Sequence, residues 1–319
     1  MRRRITFSMA IAVLLMIVSA CGGSGGATKE SSNGQTDVTV GVIPIVDTAP
    51  LYLGEKKGFF KDAGINLDIK TTTGGAVAVP GVVSGDFDFA FGNVVSLMVA
   101  ADQGLGLKFV TNGASATGEA KDFSAIVVPS DSPITRPRDL VGTTVGVNNL
   151  KNIGDTTIRH AIEKDGGDPT DVEFVEVAFP DAPAAVAKKQ VDAAWALEPF
   201  LSQVLAEGGR VVSWNYLEMS PNLDIAGYFT TDEFIAANED LTKNFTAAMN
   251  KSLDYAQEHP DEVRAIVGTY TEIDSATRAK MTLPAFRSEF DRESATALGE
   301  AAVKFDTLST EPDLDKLLP

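Results

Sequence analysis

Residues 38–71 read VTVGVIPIVDTAPLYLGEKKGFFKDAGINLDIKT. Val38–Ile43 is a short apolar run and predicts a strand. Pro50 to Lys57 follows as a helix, with Pro50 in its first turn and Gly58 as its stop. Asn66 to Thr71 reads as a second strand, which completes a β-α-β unit with short loops. Outward from this unit the pattern repeats: helix 77–83, strand 87–91, helix 94–101, strand 107–111 and a further strand 124–128. Pro129 to Pro133 is turn-rich and reads as a hinge. A second series follows, with strands at 144–147, 172–177, 193–196 and 210–212 and helices at 154–164, 182–189 and 200–206. One more strand falls at 226–230. From 232 to 305 the chain reads as nearly all helix, broken near Pro260, Ile273 and Pro284.

Such repeats predict an α/β fold with mainly parallel strands. The helical tail has too few strands for a sheet of its own and must cover another. The economical arrangement is two lobes. Residues 38–128 form lobe 1, residues 129–223 form lobe 2, and residues 224–319 supply a return strand and helices to lobe 1. Crossings near Pro129 and Asp224 then make a hinge with a ligand cleft between the lobes. One large doubly wound sheet is the alternative, since periodicity reads the same in both.

Composition narrows the function. The 319 residues carry 27 Lys+Arg against 44 Asp+Glu, a formal charge of −17. Nucleic acid is excluded as a partner, because phosphate contacts need clustered basic side chains. The 44% hydrophobic content is enough to bury a core.

The first residues read as an address. Arg2, Arg3 and Arg4 precede an apolar run from Ile5 to Val18, then Val18-Ser19-Ala20-Cys21. That is a basic region, an apolar region and small residues before a cleavage point. A membrane span would need ~20 apolar residues, and this run is shorter and interrupted by Thr6 and Ser8. With Cys21 at the cleavage point, residues 1–20 resemble a bacterial lipoprotein signal peptide. The resemblance implies a lipid-anchored Cys21 on the outer side of the cell membrane, two or more acyl chains being what stable attachment takes. Cleavage leaves 24 basic against 44 acidic residues, a charge of −20. Residues 21–37 read as a flexible tether. Cys21 is the only cysteine, so the body can have neither a disulfide nor a thiol nucleophile.

A search for catalytic patterns finds none. His160 and His259 are the only histidines, without metal-ligand spacing, and no nucleophile elbow, phosphate loop or dinucleotide fingerprint occurs. Neither a metal nor a cofactor is expected. The loops after the strands offer more, since ligands bind beyond the carboxyl ends of strands in open α/β sheets. Four stand out: Pro44 to Tyr52, Thr73-Gly74-Gly75, Phe91-Gly92-Asn93, and Val147 to Asp155, where Asn152 and Asp155 have capping-box spacing. Each taken singly is ordinary turn and cap chemistry; together they cluster at one edge of two sheets.

Asp47 to Leu53 followed by Lys57-Gly58-Phe59-Phe60-Lys61-Asp62-Ala63-Gly64-Ile65 resembles the opening of the nitrate/sulfonate/taurine-type substrate-binding proteins of ABC importers. Proteins that bind thiamine-pyrimidine precursors belong to the same group. Gly85 to Ala90, Gln190 to Trp195 and Glu198-Pro199 are similar to its recurring elements. The resemblance, over about residues 38–305, implies a two-lobed periplasmic-binding-protein fold of type II with two hinge crossings. It further implies a monomer that captures a small molecule and delivers it to a membrane permease driven by an ATPase, with no catalysis. By matching position it implies Asp47, Thr48, Tyr52, Gly75, Gly92, Asn93, Asn148, Asn152, Trp195, Glu198 and Asp224 as ligand-binding residues. The ligand class stays open between an organic anion such as a sulfonate or carboxylate and a heteroaromatic compound. Helix N-termini favour the anion, but these loops carry Asp47, Asp181, Glu198 and Asp224 against only Lys151. A thiamine-pyrimidine-synthase-like enzyme, which would need a histidine and a lysine in the cleft, and a sensor that signals to a membrane receptor are the competing readings.

Overall fold

The computed structural model describes residues 34–319. The leader, Cys21 and most of the expected tether lie outside the described residues. The tether's expected end at residue 37 is too late: Thr36 and Asp37 already pair with Ile65 and Asn66.

Ten strands form two five-stranded sheets. The first holds β1 (Thr36–Val42), β2 (Ile65–Thr71), β3 (Phe89–Asn93), β4 (Leu107–Ser115) and β10 (Asp224–Thr231), in the order β2-β1-β3-β10-β4. The second holds β5 (Ser124–Val128), β6 (Thr144–Val147), β7 (Glu173–Glu176), β8 (Ala193–Leu197) and β9 (Arg210–Ser213), in the order β7-β6-β8-β5-β9. In each, four strands point the same way, while β10 in the first and β5 in the second run antiparallel to both neighbours. The sheets are therefore mixed rather than mainly parallel, because each lobe contains one strand that enters from the other lobe.

That topology corrects one boundary. Ser124–Val128, assigned to lobe 1 by its position in the chain, pairs with β8 and β9 in the second sheet. The outward crossing is thus residues 116–123, ahead of the Pro129 turn. All five residues of β5 are buried, and a strand buried on both faces carries no mark of which sheet it will join. The return crossing runs through residues 220–223 into β10. The two crossings lie side by side, the Ala116 N–H donating to the Leu223 carbonyl at 2.8 Å.

The helical tail covers the first sheet. Helix Glu239–Glu258 buries Thr242, Phe245, Met249, Ser252 and Ala256, a three-and-four spacing that makes one apolar face. Phe245 stacks on Phe89 of β3 at 4.0 Å and also meets Phe60 and Tyr228. Helix Ala49–Lys57 approaches this helix so closely that a Cβ on Gly54 would lie 1.9 Å from Ser252 Oγ, so only glycine serves there. Residues 279–291, expected to be mostly helical, hold no helix; Ala285 instead bridges to Ser115 of β4. No helix among the described residues is long and apolar enough to cross a membrane.

Phe245→Ala removes the ring that joins the tail to the sheet. It should cost about 3–5 kcal/mol, read in urea unfolding as a lower midpoint with an unchanged slope. An unchanged midpoint would mean that the tail adds little to the first lobe.

Candidate ligand-binding cleft

The loops that follow β1, β3, β6 and β8 converge where the sheets face each other. Between them lies a cavity of about 20 Å³, room for roughly one water-sized group. Ile43, Ile45, Asp47, Phe91, Asn93, Ile225 and Ala226 line it from the first lobe. Asn148, Ile153, Phe179, Trp195, Leu197 and Tyr216 line it from the second. The cleft is closed by hydrogen bonds between the lobes. The Val46 N–H donates to the Glu198 carbonyl at 3.0 Å, Asn152 Nδ2 to Ser96 Oγ at 3.1 Å and Asn148 Nδ2 to the Thr73 carbonyl at 3.4 Å.

Asp47 sits on the single tight helical turn Val46–Thr48 and is 1% exposed. Neither carboxylate oxygen has a hydrogen-bond partner among the described residues. Burial pushes its pKa up to about 7, with its own backbone N–H opposing the rise and the Asp122 carboxylate adding to it. The Tyr216 and Tyr228 hydroxyls and Asn148 Oδ1 are likewise buried without partners. Burial raises both tyrosines well above the usual phenol range, and the nearby Asp47 charge adds to it. Among the described residues, no Lys, Arg or His lines the cavity. The walls are aromatic: Trp195 meets Phe179 edge-on at 5.0 Å and Tyr216 at 5.9 Å, and its Nε1 donates to Ser124 Oγ at 2.7 Å.

Of the residues singled out in the sequence, Asp47, Asn93, Asn148 and Trp195 line this cavity. The others have different work. Thr48 Oγ1 donates to the Ile43 and Ile45 carbonyls and shapes the Asp47 turn. Tyr52 stacks on Tyr270 at 4.1 Å, and the Tyr270 hydroxyl donates to the Ile45 carbonyl. Gly75 and Asn152 lie in a separate outer groove; a Cβ on Gly75 would press on Ser96. Gly92 packs under Phe229. The Glu198 carboxylate accepts from Ser202 N, Ser202 Oγ and Thr282 N, and burial pushes it up to about 7. Asp224 is fully buried and accepts from Asn112 Nδ2 at 2.7 Å, Ser115 Oγ at 2.6 Å and the Asp291 N–H. Those seven lie outside the cavity because strand-end position fixes the loop but not which way each side chain turns.

Reading the sequence missed Phe179 and Tyr216. Tyr216 lies on helix Asn215–Met219 beside the return crossing, a five-residue element too short for a periodic signal. It also missed Asp122, which sits on the outward crossing with Oδ2 unpartnered and is pushed up to about 6 by burial. No cluster of metal ligands occurs among the described residues.

Residues 45–263 match the model of the family described as NMT1/THI5 like. The chain belongs to that family. Binding protein YtlA of Bacillus subtilis is 27% identical over 216 residues, 66% of this chain and 63% of that protein. A 4-amino-5-hydroxymethyl-2-methylpyrimidine phosphate synthase of Saccharomyces cerevisiae, THI11, is 25% identical over 66% of this chain and 64% of its own. The formylaminopyrimidine-binding protein of Halalkalibacterium halodurans is 21% identical over 69% of this chain and 65% of its own. The chain thus spans less than two thirds of the length of these three relatives. Among solved structures, the alkanesulfonate-binding protein SsuA of Xanthomonas axonopodis, bound to MOPS, superposes with a TM-score of 0.76 at 13% identity. That match covers 89% of this chain and 98% of the other. The fold is the two-lobed periplasmic-binding-protein fold.

Asp47 and Glu198 give a pH dependence of known sign. Their pKa values rise from 3.8 and 4.5 to about 7 on folding. Between those limits the folded state holds protons that the unfolded chain has lost. Stability is therefore fully present below about pH 4 and falls as the pH climbs through 7. The Tm of the protein should decline from about pH 5 to 8, and the Asp47→Asn, Glu198→Gln double variant should show a shallower decline. Equal slopes in the two proteins would contradict the assignment.

Proposed function

We propose that this chain is the extracytoplasmic solute-binding component of an ABC importer. It captures a small organic ligand between its lobes and hands it to a membrane permease powered by an ATPase. The leader delivers the chain across the membrane, Cys21 holds it there by lipid, and the stretch after Cys21 is the tether. The two lobes close about the paired crossings, and the cavity of about 20 Å³ between them must widen to hold such a ligand.

The observation that carries the ligand chemistry is the unpartnered Asp47 carboxylate in a cavity without a cationic side chain. A buried acceptor without a partner costs about 1–3 kcal/mol, more when charged. A ligand that brings N–H donors removes that cost; a bare sulfonate or nitrate would add a second negative charge. The rings of Trp195, Phe179 and Tyr216 suit a flat heterocycle. A neutral or cationic nitrogen heterocycle meets both demands, and an aminopyrimidine of the kind named for the Halalkalibacterium halodurans relative is the first candidate.

The yeast relative supports a second reading, a pyrimidine synthase. That chemistry would place a histidine and a lysine in the cleft. His160 lies on helix Ile153–Lys164, His259 stacks on Tyr255 at 3.8 Å, and neither lines the cavity. The binding reading is favoured.

Thermal-shift and calorimetric titration with 4-aminopyrimidines, against MOPS and nitrate, tests the proposal. A true ligand at a hundredfold excess over its Kd should stabilise the protein by about 2.7 kcal/mol. Asp47→Asn should weaken that ligand at least tenfold, the loss of a charge-assisted hydrogen bond being worth about 1.5–3 kcal/mol. Stabilisation by MOPS or nitrate alone would refute the ligand class. Chemical turnover of any bound compound would refute the transport role.

A further inference from the structure

A second cavity of about 400 Å³ shares no lining residue with the cleft. That volume is within the range of small-molecule sites. Leu201 and Leu205 of helix Phe200–Ala206 form one wall with Trp214. Lys121 of the outward crossing and Lys280 of the C-terminal segment, both exposed, also line it, so the pocket is assembled from both lobes and the hinge.

Three features point to a ligand rather than to a packing fault. Leu205 is 40% exposed, one of four large apolar side chains among the described residues left so open. It lies beside the half-buried indole of Trp214, so an apolar ring has a face to rest on. Neither Lys121 nor Lys280 forms an ion pair among the described residues, in a chain with 44 acidic residues. The one carboxylate in the wall, Glu198, is 2% exposed and already accepts from Ser202 and Thr282. It leaves the two ammonium groups unneutralised. Among the described residues, the cleft lining has unpartnered acceptors and no cation, while this pocket's lining has two lysines.

We propose that this pocket binds a compact aromatic carboxylate or sulfonate. Its ring would lie against Trp214, Leu201 and Leu205, and its anionic group would face Lys121 and Lys280. The site is distinct from the transport cleft and takes the opposite class of ligand.

Calorimetric titration of the mature protein with naphthalene-1-sulfonate and with its uncharged counterpart 1-naphthalenemethanol tests this. The sulfonate should bind, and the alcohol about tenfold more weakly. The Lys121→Glu, Lys280→Glu double variant should weaken the sulfonate about tenfold, as expected for two partly solvated ionic contacts. The Lys56→Glu, Lys61→Glu variant imposes the same change in net charge elsewhere on the surface and should stay within about twofold of the parent. Failure of the sulfonate to bind would overturn the proposal. So would equal binding of the alcohol, or equal weakening in both double variants.

Discussion

The constraint on which the rest of this structure depends is a carboxylate held where water cannot reach it. Ionised carboxylates taken out of water cost several kcal/mol unless something pairs with them. Among the described residues nothing pairs with Asp47 in this way. Its turn is nonetheless fixed from behind: Thr48 Oγ1 and the Tyr270 hydroxyl both donate to the carbonyls of the loop, and Tyr52 stacks on Tyr270. The backbone is thereby kept from turning the carboxylate toward solvent. Rigid support behind and no partner in front is the arrangement expected of a group kept for a ligand.

The hinge has the opposite character. Each crossing carries its own buried aspartate, and both are largely satisfied locally. Asp122 accepts from Thr117 N and Phe123 N. Asp224 gathers donors from β4 and from Asp291, pinning the start of β10 to the first lobe. Asp122 Oδ2 apart, these groups are tied down within the hinge, so under the proposed closure movement would fall on the cross-lobe bonds. Those bonds are few and pass between neutral groups, as at Asn152 and Ser96. Individually they contribute about 1 kcal/mol, a size that permits opening.

Much of this was legible in the sequence. The first β-α-β unit could be read from 38–71 because Pro50 and Gly58 mark the helix ends chemically, and Gly58 does adopt a left-handed φ of 81°. The capping box at Asn152 and Asp155 forms as its spacing suggests. What could not be read was anything set by pairing at a distance. β5 is an apolar run whose sheet is chosen by β8 and β9, far along the chain. Asp224 and Glu198 carry the charge expected of ligand groups, yet each is taken up by backbone and hydroxyl donors that only the folded chain brings near. Tyr216 was invisible for the converse reason: a short helix beside a crossing gives no periodicity, and its place in the cavity comes from the second lobe's packing.

Two helices that start at the cleft bear on the proposed preference for a ligand with hydrogen-bond donors over an anion. A helix N-terminus offers free N–H groups and a partial positive charge, which by itself favours an oxyanion. Here some of those donors are already engaged. Asn93 Oδ1 accepts from the Ser96 N–H at the start of helix Val94–Asp102. At the start of helix Ile153–Lys164, Asn152 Oδ1 accepts from the Ile153 N–H, while Asp155 takes the Lys151 and Asn152 N–H groups. Asp155 also sets a buried carboxylate against the positive end of that helix. Among the described residues, the Asp47 oxygens and Asn148 Oδ1 are unmet acceptors lining the cavity. Capping residues at the helix starts and an acid on the facing turn together support the proposal of a ligand that brings hydrogen-bond donors.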